Sequence, residues 1–276
     1  MYNTALADET VVALKKSNPD LEVYNTQIDL TDSVYNAELT IPVVKIDSPF
    51  FRNRATVDVK LSRGKVKYYY TLDGTEPTTT STLYAEPFVV KQSGEFRVKA
   101  TMSGWKDSKV ATFPLMKLGI SPHLVILETK PDPKHSGKLD STLVDGQAGG
   151  LNRGDKEYLG FINRDPQVLF QLNSPEEISQ LTVSYLEDVK NGVVAPEYVE
   201  VWGGADKNNM TRLARVVSTL PSVERPAAKC IIRLSFPTRE VRYVRLKTKC
   251  VKTLPAWPDL QKTTQPSIFI DEVSLE

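Results

Sequence analysis

Tyr68-Tyr69-Tyr70-Thr71-Leu72-Asp73-Gly74-Thr75-Glu76-Pro77 decides how this chain folds. Val66, Tyr68, Tyr70 and Leu72 fall on one face of a strand by period two, and Lys65, Lys67, Tyr69 and Thr71 on the other. Asp73-Gly74 stops that strand, because the pair accepts positive φ, and Pro77 withholds a ladder donor shortly afterwards. Residues 81–84 and Pro87-Phe88-Val89-Val90 then begin the next strand. Asp73 and Glu76 have the look of a catalytic carboxylate pair, but turn chemistry accounts for both.

Outward from this stretch the same pattern repeats. Strands are expected over 43–46, 55–61, 65–72, 88–90, 95–100 and 108–113, separated by Arg63-Gly64, Asp73-Gly74, Ser93-Gly94 and Ser103-Gly104. Short strands punctuated in this way argue for a small antiparallel sandwich. Pro122, Pro131 and Pro133 break the segment 118–138, which holds one strand at 124–127. Strands follow over 168–172, 178–185, 198–202, 213–217, 230–236, 241–248 and 268–273, enough for a two-sheet jelly roll. Before all of this, Asp8 caps a helix with an apolar stripe of Val11, Val12 and Leu14, which Asn18-Pro19 ends. The expectation is an all-β chain of two antiparallel β-sandwiches with a short N-terminal helix, divided as 1–38, 39–117 and 118–276.

Charge and chemistry exclude several roles. The 276 residues carry 35 Lys plus Arg against 34 Asp plus Glu, so no polyanion footprint points to nucleic acid or an anionic membrane. No apolar run is long enough to span a bilayer, and the first residues show no signal-peptide pattern. There is no Gly-rich phosphate loop, no zinc-type cluster and no Gly-x-Ser-x-Gly elbow. His123 and His135 lie in the linker with no nucleophile or acid at a diagnostic spacing. Cys230 and Cys250 lack metal-ligand spacing. A hairpin about Pro237-Thr238-Arg239-Glu240 would leave them out of register for a disulfide. Arg153-Gly154-Asp155 spells an adhesion tripeptide, but three residues recur by chance, and Gly149-Gly150 and Gly203-Gly204 read as turn glycines. Trp105 and Trp202, at strand ends, read as packing lids, and the loop 188–195 carries no aromatic residue for a sugar to stack on.

Three resemblances add to this reading. The string from Tyr70 to Thr78, with Ser81, Tyr84 and Pro87, resembles the small immunoglobulin-like domain at the C-terminus of chitobiases and β-hexosaminidases, over residues 42–116. Related domains stand beside fibronectin type III modules, and the family's domain is an accessory without catalytic residues. The second half resembles the galactose-binding-like sandwich of discoidin (coagulation-factor type C) domains. It does so through Leu143-Val144-Asp145-Gly146, Tyr158-Leu159-Gly160-Phe161, Arg242-Tyr243-Val244-Arg245-Leu246, Leu254-Pro255-Ala256-Trp257 and Phe269-Ile270-Asp271-Glu272-Val273. Asn3-Thr4-Ala5-Leu6-Ala7-Asp8, Leu14 and Pro19-Asp20-Leu21-Glu22-Val23 look like the last unit of a leucine-rich repeat; a helix packed on the next domain is the alternative.

These resemblances imply non-catalytic accessory or attachment modules at the C-terminus of a larger exported bacterial protein, working outside the cytoplasm. The implied partners are a glycan or cell-surface polysaccharide and the other domains of the parent protein. A structural spacer or protein-interaction module is the alternative. For sugar binding, Tyr158 and Trp257 are the expected ligand-binding residues, because both stand next to the loop end where relatives bind. The resemblance also implies a structural Ca2+ held by Asp145, Glu272 and carbonyls from about residues 140–150. The alternative is that Asp145 caps its own turn and Glu272 pairs with a basic residue.

Overall fold

The computed structural model describes residues 16–17, 37–62, 65–221, 226–257 and 264–276. Lys16 and Ser17 are helical; the rest of the expected N-terminal helix and the repeat-like stretch lie outside the described residues.

The first group of strands is β1 (Val44–Ile46), β2 (Phe50–Phe51), β3 (Ala55–Val59), β4 (Lys67–Thr71), β5 (Thr82–Leu83), β6 (Phe88–Val90), β7 (Gly94–Thr101) and β8 (Ala111–Lys117). They form two sheets, β1-β3-β6 and β2-β8-β7-β4-β5. The period-two reading of β4 holds. Tyr68 is buried, and Tyr70 stacks on Phe88 of the opposite sheet with centroids 4.7 Å apart, beside the fully buried Phe96. Tyr84 joins the layers again: its hydroxyl accepts from the Val59 N–H at 2.9 Å and donates to Asp58 Oδ1 at 3.0 Å. At the end of β4, Gly74 takes φ +81°, and Asp73 Oδ1 accepts from the Thr75 N–H and hydroxyl at 3.0 and 2.6 Å. This is an Asx turn, as its chemistry requires.

The second group is β9 (Leu124–Leu127), β10 (Leu159–Ile162), β11 (Gln167–Glu187), β12 (Tyr198–Asp206), β13 (Asn209–Val217), β14 (Ala228–Lys249) and β15 (Ser267–Leu275). All seven belong to one sheet, β10-β15-β11-β14-β12-β13, with β9 also on β11. The sheet folds over because β11 and β14 are long and bent. Residues 167–171 of β11 pair with 243–247 of β14 and with β9, whereas residues 180–187 pair with 228–235 of β14, and 181–186 lie against β15. The inward faces enclose Phe161, Phe170, Leu172, Ile178, Leu181, Leu234, Val244 and Leu246.

The hairpin expected at residues 237–240 is therefore corrected. Ile178 still opposes Arg239 while Gln180 opposes Ser235, so Pro237 falls in a bulge that demands no ladder hydrogen bond. Phe236 and Val241 stay buried on either side of the bend. Cys230 and Cys250 form no disulfide, and burial pushes the Cys250 thiol up to about 11.

The two groups meet along the last strand. Ile120 N–H donates to the Leu275 carbonyl at 2.7 Å, and Gly119 N–H to Ser274 Oγ at 2.8 Å. Ser274 Oγ donates to the Lys117 carbonyl at 2.7 Å. Ser93 Oγ donates to Glu276 Oε1 at 3.0 Å, and Arg233 Nη1 to the Ser93 carbonyl at 2.9 Å.

Candidate binding site at the junction

The four residues singled out in the sequence fall in two places. Tyr158, Asp145 and Glu272 gather where the loop before β10 folds over β15. Trp257 sits apart with Val189, Val194 and Val251. Neither ring is exposed for a sugar to stack on. Tyr158 is 0 % exposed and Trp257 5 %. Each polar tip is used internally, the Tyr158 hydroxyl donating to the Gly150 carbonyl at 2.5 Å and Trp257 Nε1 to the Pro221 carbonyl at 3.2 Å. Both residues are core aromatics whose polar ends found backbone partners. Trp105, read as a lid, is 39 % exposed instead.

Asp145 and Glu272 do come together, around the Gly146 turn, but their oxygens already face donors. Glu272 Oε2 accepts from the Gly146 N–H at 2.7 Å, and Asp145 Oδ1 from the Gln147 N–H at 2.9 Å. Asp145 Oδ2 takes the Lys138 ammonium at 2.9 Å, and that ammonium also holds Glu157 at 2.6 Å. The neighbouring Asp271, 0 % exposed, accepts from the Gly149 N–H at 2.9 Å and pairs with the half-buried Lys229 ammonium, which lies 4.7 Å from the Tyr158 ring centroid. Burial pushes the Asp271 carboxyl up and the Lys229 ammonium down, and each charge holds the other. A calcium ion needs ~6–8 oxygen ligands turned toward it. Among the described residues no group of three or more His, Cys, Asp or Glu could hold a metal. The expected ligands do not fit calcium as they stand, because N–H groups take Asp145 Oδ1 and Glu272 Oε2 and the Lys138 ammonium takes Asp145 Oδ2. Asp145 caps its own turn, while the lysines fall on Asp145 and Asp271 rather than on Glu272. Asp155 of the Arg-Gly-Asp tripeptide is likewise used inside the loop, accepting from the Gly150 N–H at 2.8 Å.

A cavity open to solvent lies elsewhere. It is a cleft of about 780 Å3 between the end of β4, β5, the β6–β7 turn and one side chain of β14. Leu72 and Val89, 38 % and 46 % exposed, give it apolar surface. Around them stand Asp73, Ser81, Gln92 and Arg233. Arg233 reaches across from the second group of strands and is fixed by its bond to the Ser93 carbonyl. Asp73 is the one carboxylate among the lining residues. The Thr75 hydroxyl and N–H, with the Arg233 charge adding, hold its carboxyl below the usual range, so it is ionised at neutral pH. The cleft thus offers an anion, a guanidinium, an amide and hydroxyls beside exposed apolar surface. Its members escaped the sequence reading because Asp73 is fully explained by its turn and Arg233 lies far along the chain. Leu72 shares the Tyr68 and Tyr70 face in the period-two pattern, yet it stands just past β4 and is exposed.

Residues 58–115 match the family model described as Fn3 associated. A search of curated proteins finds no match. Among solved structures, the chain is similar to a CBM32 module of AlyQ in complex with 4,5-unsaturated mannuronic acid, at 16 % identity and TM-score 0.37, covering 58 % of this chain and 98 % of that one. It is similar to a chitosan-binding module of a chitosanase/glucanase from Paenibacillus sp. IK-5, at 11 % identity and TM-score 0.37, covering 57 % and 96 %. A SusE-like protein, BT2857, spans more of the chain, 84 % of it and 95 % of that structure, at 15 % identity and TM-score 0.36. At such TM-scores these likenesses assign no ligand to this chain.

Proposed function

We propose that this chain is a non-catalytic glycan-binding accessory unit, and that the junction cleft is where the sugar binds. The observation that carries this is the lining itself: one ionised carboxylate, one guanidinium, an amide and hydroxyls set around exposed Leu72 and Val89. A pyranose presents hydroxyls at its rim and C–H groups on its faces, so it needs both kinds of surface in one recess. Hydrolysis is not supported, because glycoside cleavage takes two carboxylates flanking one bond and the cleft lining holds Asp73 alone. On this reading the first sandwich is the chitobiase-type accessory domain and the second the discoidin-type one, within a longer protein that is exported. No helix among the described residues is long and apolar enough to cross a membrane.

The test is calorimetry or a glycan array with the whole chain, followed by Arg233→Ala and Asp73→Asn. Asparagine keeps the Asx turn, so that variant removes charge without removing the fold. Each should weaken binding about tenfold, the loss of one or two charge-assisted hydrogen bonds. Binding untouched by both variants, or no glycan bound at all, leaves the spacer reading, which has its own support in the bonded junction.

A further inference from the structure

The outer face of one layer carries a second, unrelated arrangement. On it, neighbouring strands bring Arg212 and Arg215 of β13, Tyr198, Glu200 and Trp202 of β12, and Lys247 of β14 side by side: Arg215 and Lys247 both oppose Glu200, and Arg212 opposes Trp202. Their neighbours Val199, Val201, Val244 and Leu246 point inward and are buried, so these six point outward. Glu200 is the pivot. Its Oε1 accepts from Arg212 Nη1 at 2.9 Å, with Arg215 Nη1 at 3.7 Å, and its Oε2 accepts from Trp202 Nε1 at 3.0 Å. The aromatic rings carry the cations: the Arg215 guanidinium lies 3.9 Å from the Tyr198 centroid and the Lys247 ammonium 4.4 Å from that of Trp202. Lys247 makes no ion pair among the described residues, and two guanidinium groups share one carboxylate.

Two cations therefore share one carboxylate, and a third stands on the neighbouring ring of the same outward face. A guanidinium has five N–H donors in a planar fork, and Arg212 spends one on Glu200. The side chains of Arg212 and Arg215 are 50 % and 42 % exposed, so their remaining donors face water. Lys247 lies two strands from Arg215, roughly 10 Å across the ladder. A small anion would meet one of these charges on an open face with no wall to retain it. An extended polymer crossing the strands meets them in succession.

We propose that this face binds a linear polyuronate, a polysaccharide with a carboxylate on each sugar. Carboxylate matches the bidentate fork of arginine. The rings are already covered by their cations, so they offer no open platform for nucleobases, which argues against single-stranded nucleic acid. The cations held on the rings are pre-placed and lose little freedom when a carboxylate arrives.

Polygalacturonate and its fully methyl-esterified form are the probes, run against the whole chain by affinity electrophoresis and calorimetry. The acid polymer should bind at least tenfold more tightly than the ester, and its affinity should fall as salt rises. Lys247→Gln and the double variant Arg212→Gln/Arg215→Gln should each abolish that preference while the melting temperature stays within a few degrees. Lys60→Gln, an exposed lysine that belongs neither to this face nor to the cleft, should leave it unchanged, which shows that the preference is local to this face. Equal binding of acid and ester, an oligo-dT single strand bound as tightly as the acid polymer, or no binding of the acid polymer each overturns the proposal.

Discussion

Single side chains in the loop that folds over β15 are set by burial against charge, and Glu272 shows this most directly. It is 2 % exposed, and burial, with Asp145 and Asp271 adding and the Gly146 N–H and Arg52 opposing, pushes its carboxyl up to about 8. A raised folded value means that the native state keeps a proton which the unfolded chain releases near 4.5. The contribution is fully present below that value and is lost as pH rises toward 8, so stability should fall across this window. Melting temperature should drop from pH 5 to pH 8 by roughly 5 °C or more, a loss of about 2 kcal/mol. Glu272→Gln, whose amide oxygen still accepts from Gly146, should flatten that slope and melt higher than wild type at pH 8. Parallel slopes in the two proteins would remove the account. Asp271 beside it behaves oppositely under mutation. Lys229→Met would leave a fully buried carboxylate without its ammonium, and such breaks cost about 3–5 kcal/mol.

At the scale of the element, the loop between the short turn at 139–143 and β10 is held by internal donors, and two outcomes follow. Adding millimolar calcium to chelator-stripped protein should leave the melting temperature unchanged, since a ligand that does not bind the native state cannot shift it. A rise of several degrees would show that an ion displaces Lys138 from Asp145. Gly149 is the second. A Cβ there would enter the ring of Tyr158, which is fully buried and set edge-on to Phe269, 6.3 Å away, so the ring has nowhere to move. Gly149→Ala should destabilise by about 1–3 kcal/mol, read as a lowered melting temperature. These elements also show what the sequence could say. Alternation exposed β4, β7, β11 and β12 because period two is local, and Asp73-Gly74 announced its turn for the same reason. Pro237-Thr238-Arg239-Glu240 misled because a bulge in a long bent strand has the composition of a turn. Tyr158 misled because nothing local reveals that the Gly150 carbonyl would accept its hydroxyl. Asp73 meeting Arg233 depends on how two sandwiches dock, and no periodicity carries that.

At the scale of the molecule, that docking is what brings Arg233 to the cleft, so its rigidity is the last thing to test. The segment 118–123 between the strand groups is tied at once: Gly119 and Ile120 bond to Ser274 and Leu275, and Ser274 returns a bond to the Lys117 carbonyl. Glu276 adds Ser93 and Lys117, at 3.0 and 3.7 Å, and Arg233 binds the Ser93 carbonyl. A flexible linker would leave those backbone groups to water, whereas here they are paired across the boundary. Small-angle scattering should therefore fit one compact particle with a single separation between the sandwiches. Gly119 is the point at which to break it, because a Cβ there would run into the Leu275 carbonyl, which is backbone and cannot swing aside. Gly119→Val should force the segment off β15, broaden the scattering-derived distances and weaken glycan binding as Arg233 leaves the cleft, while each sandwich keeps its own core. A wild-type chain that already scatters as a broad ensemble would show that the junction bonds do not hold in solution.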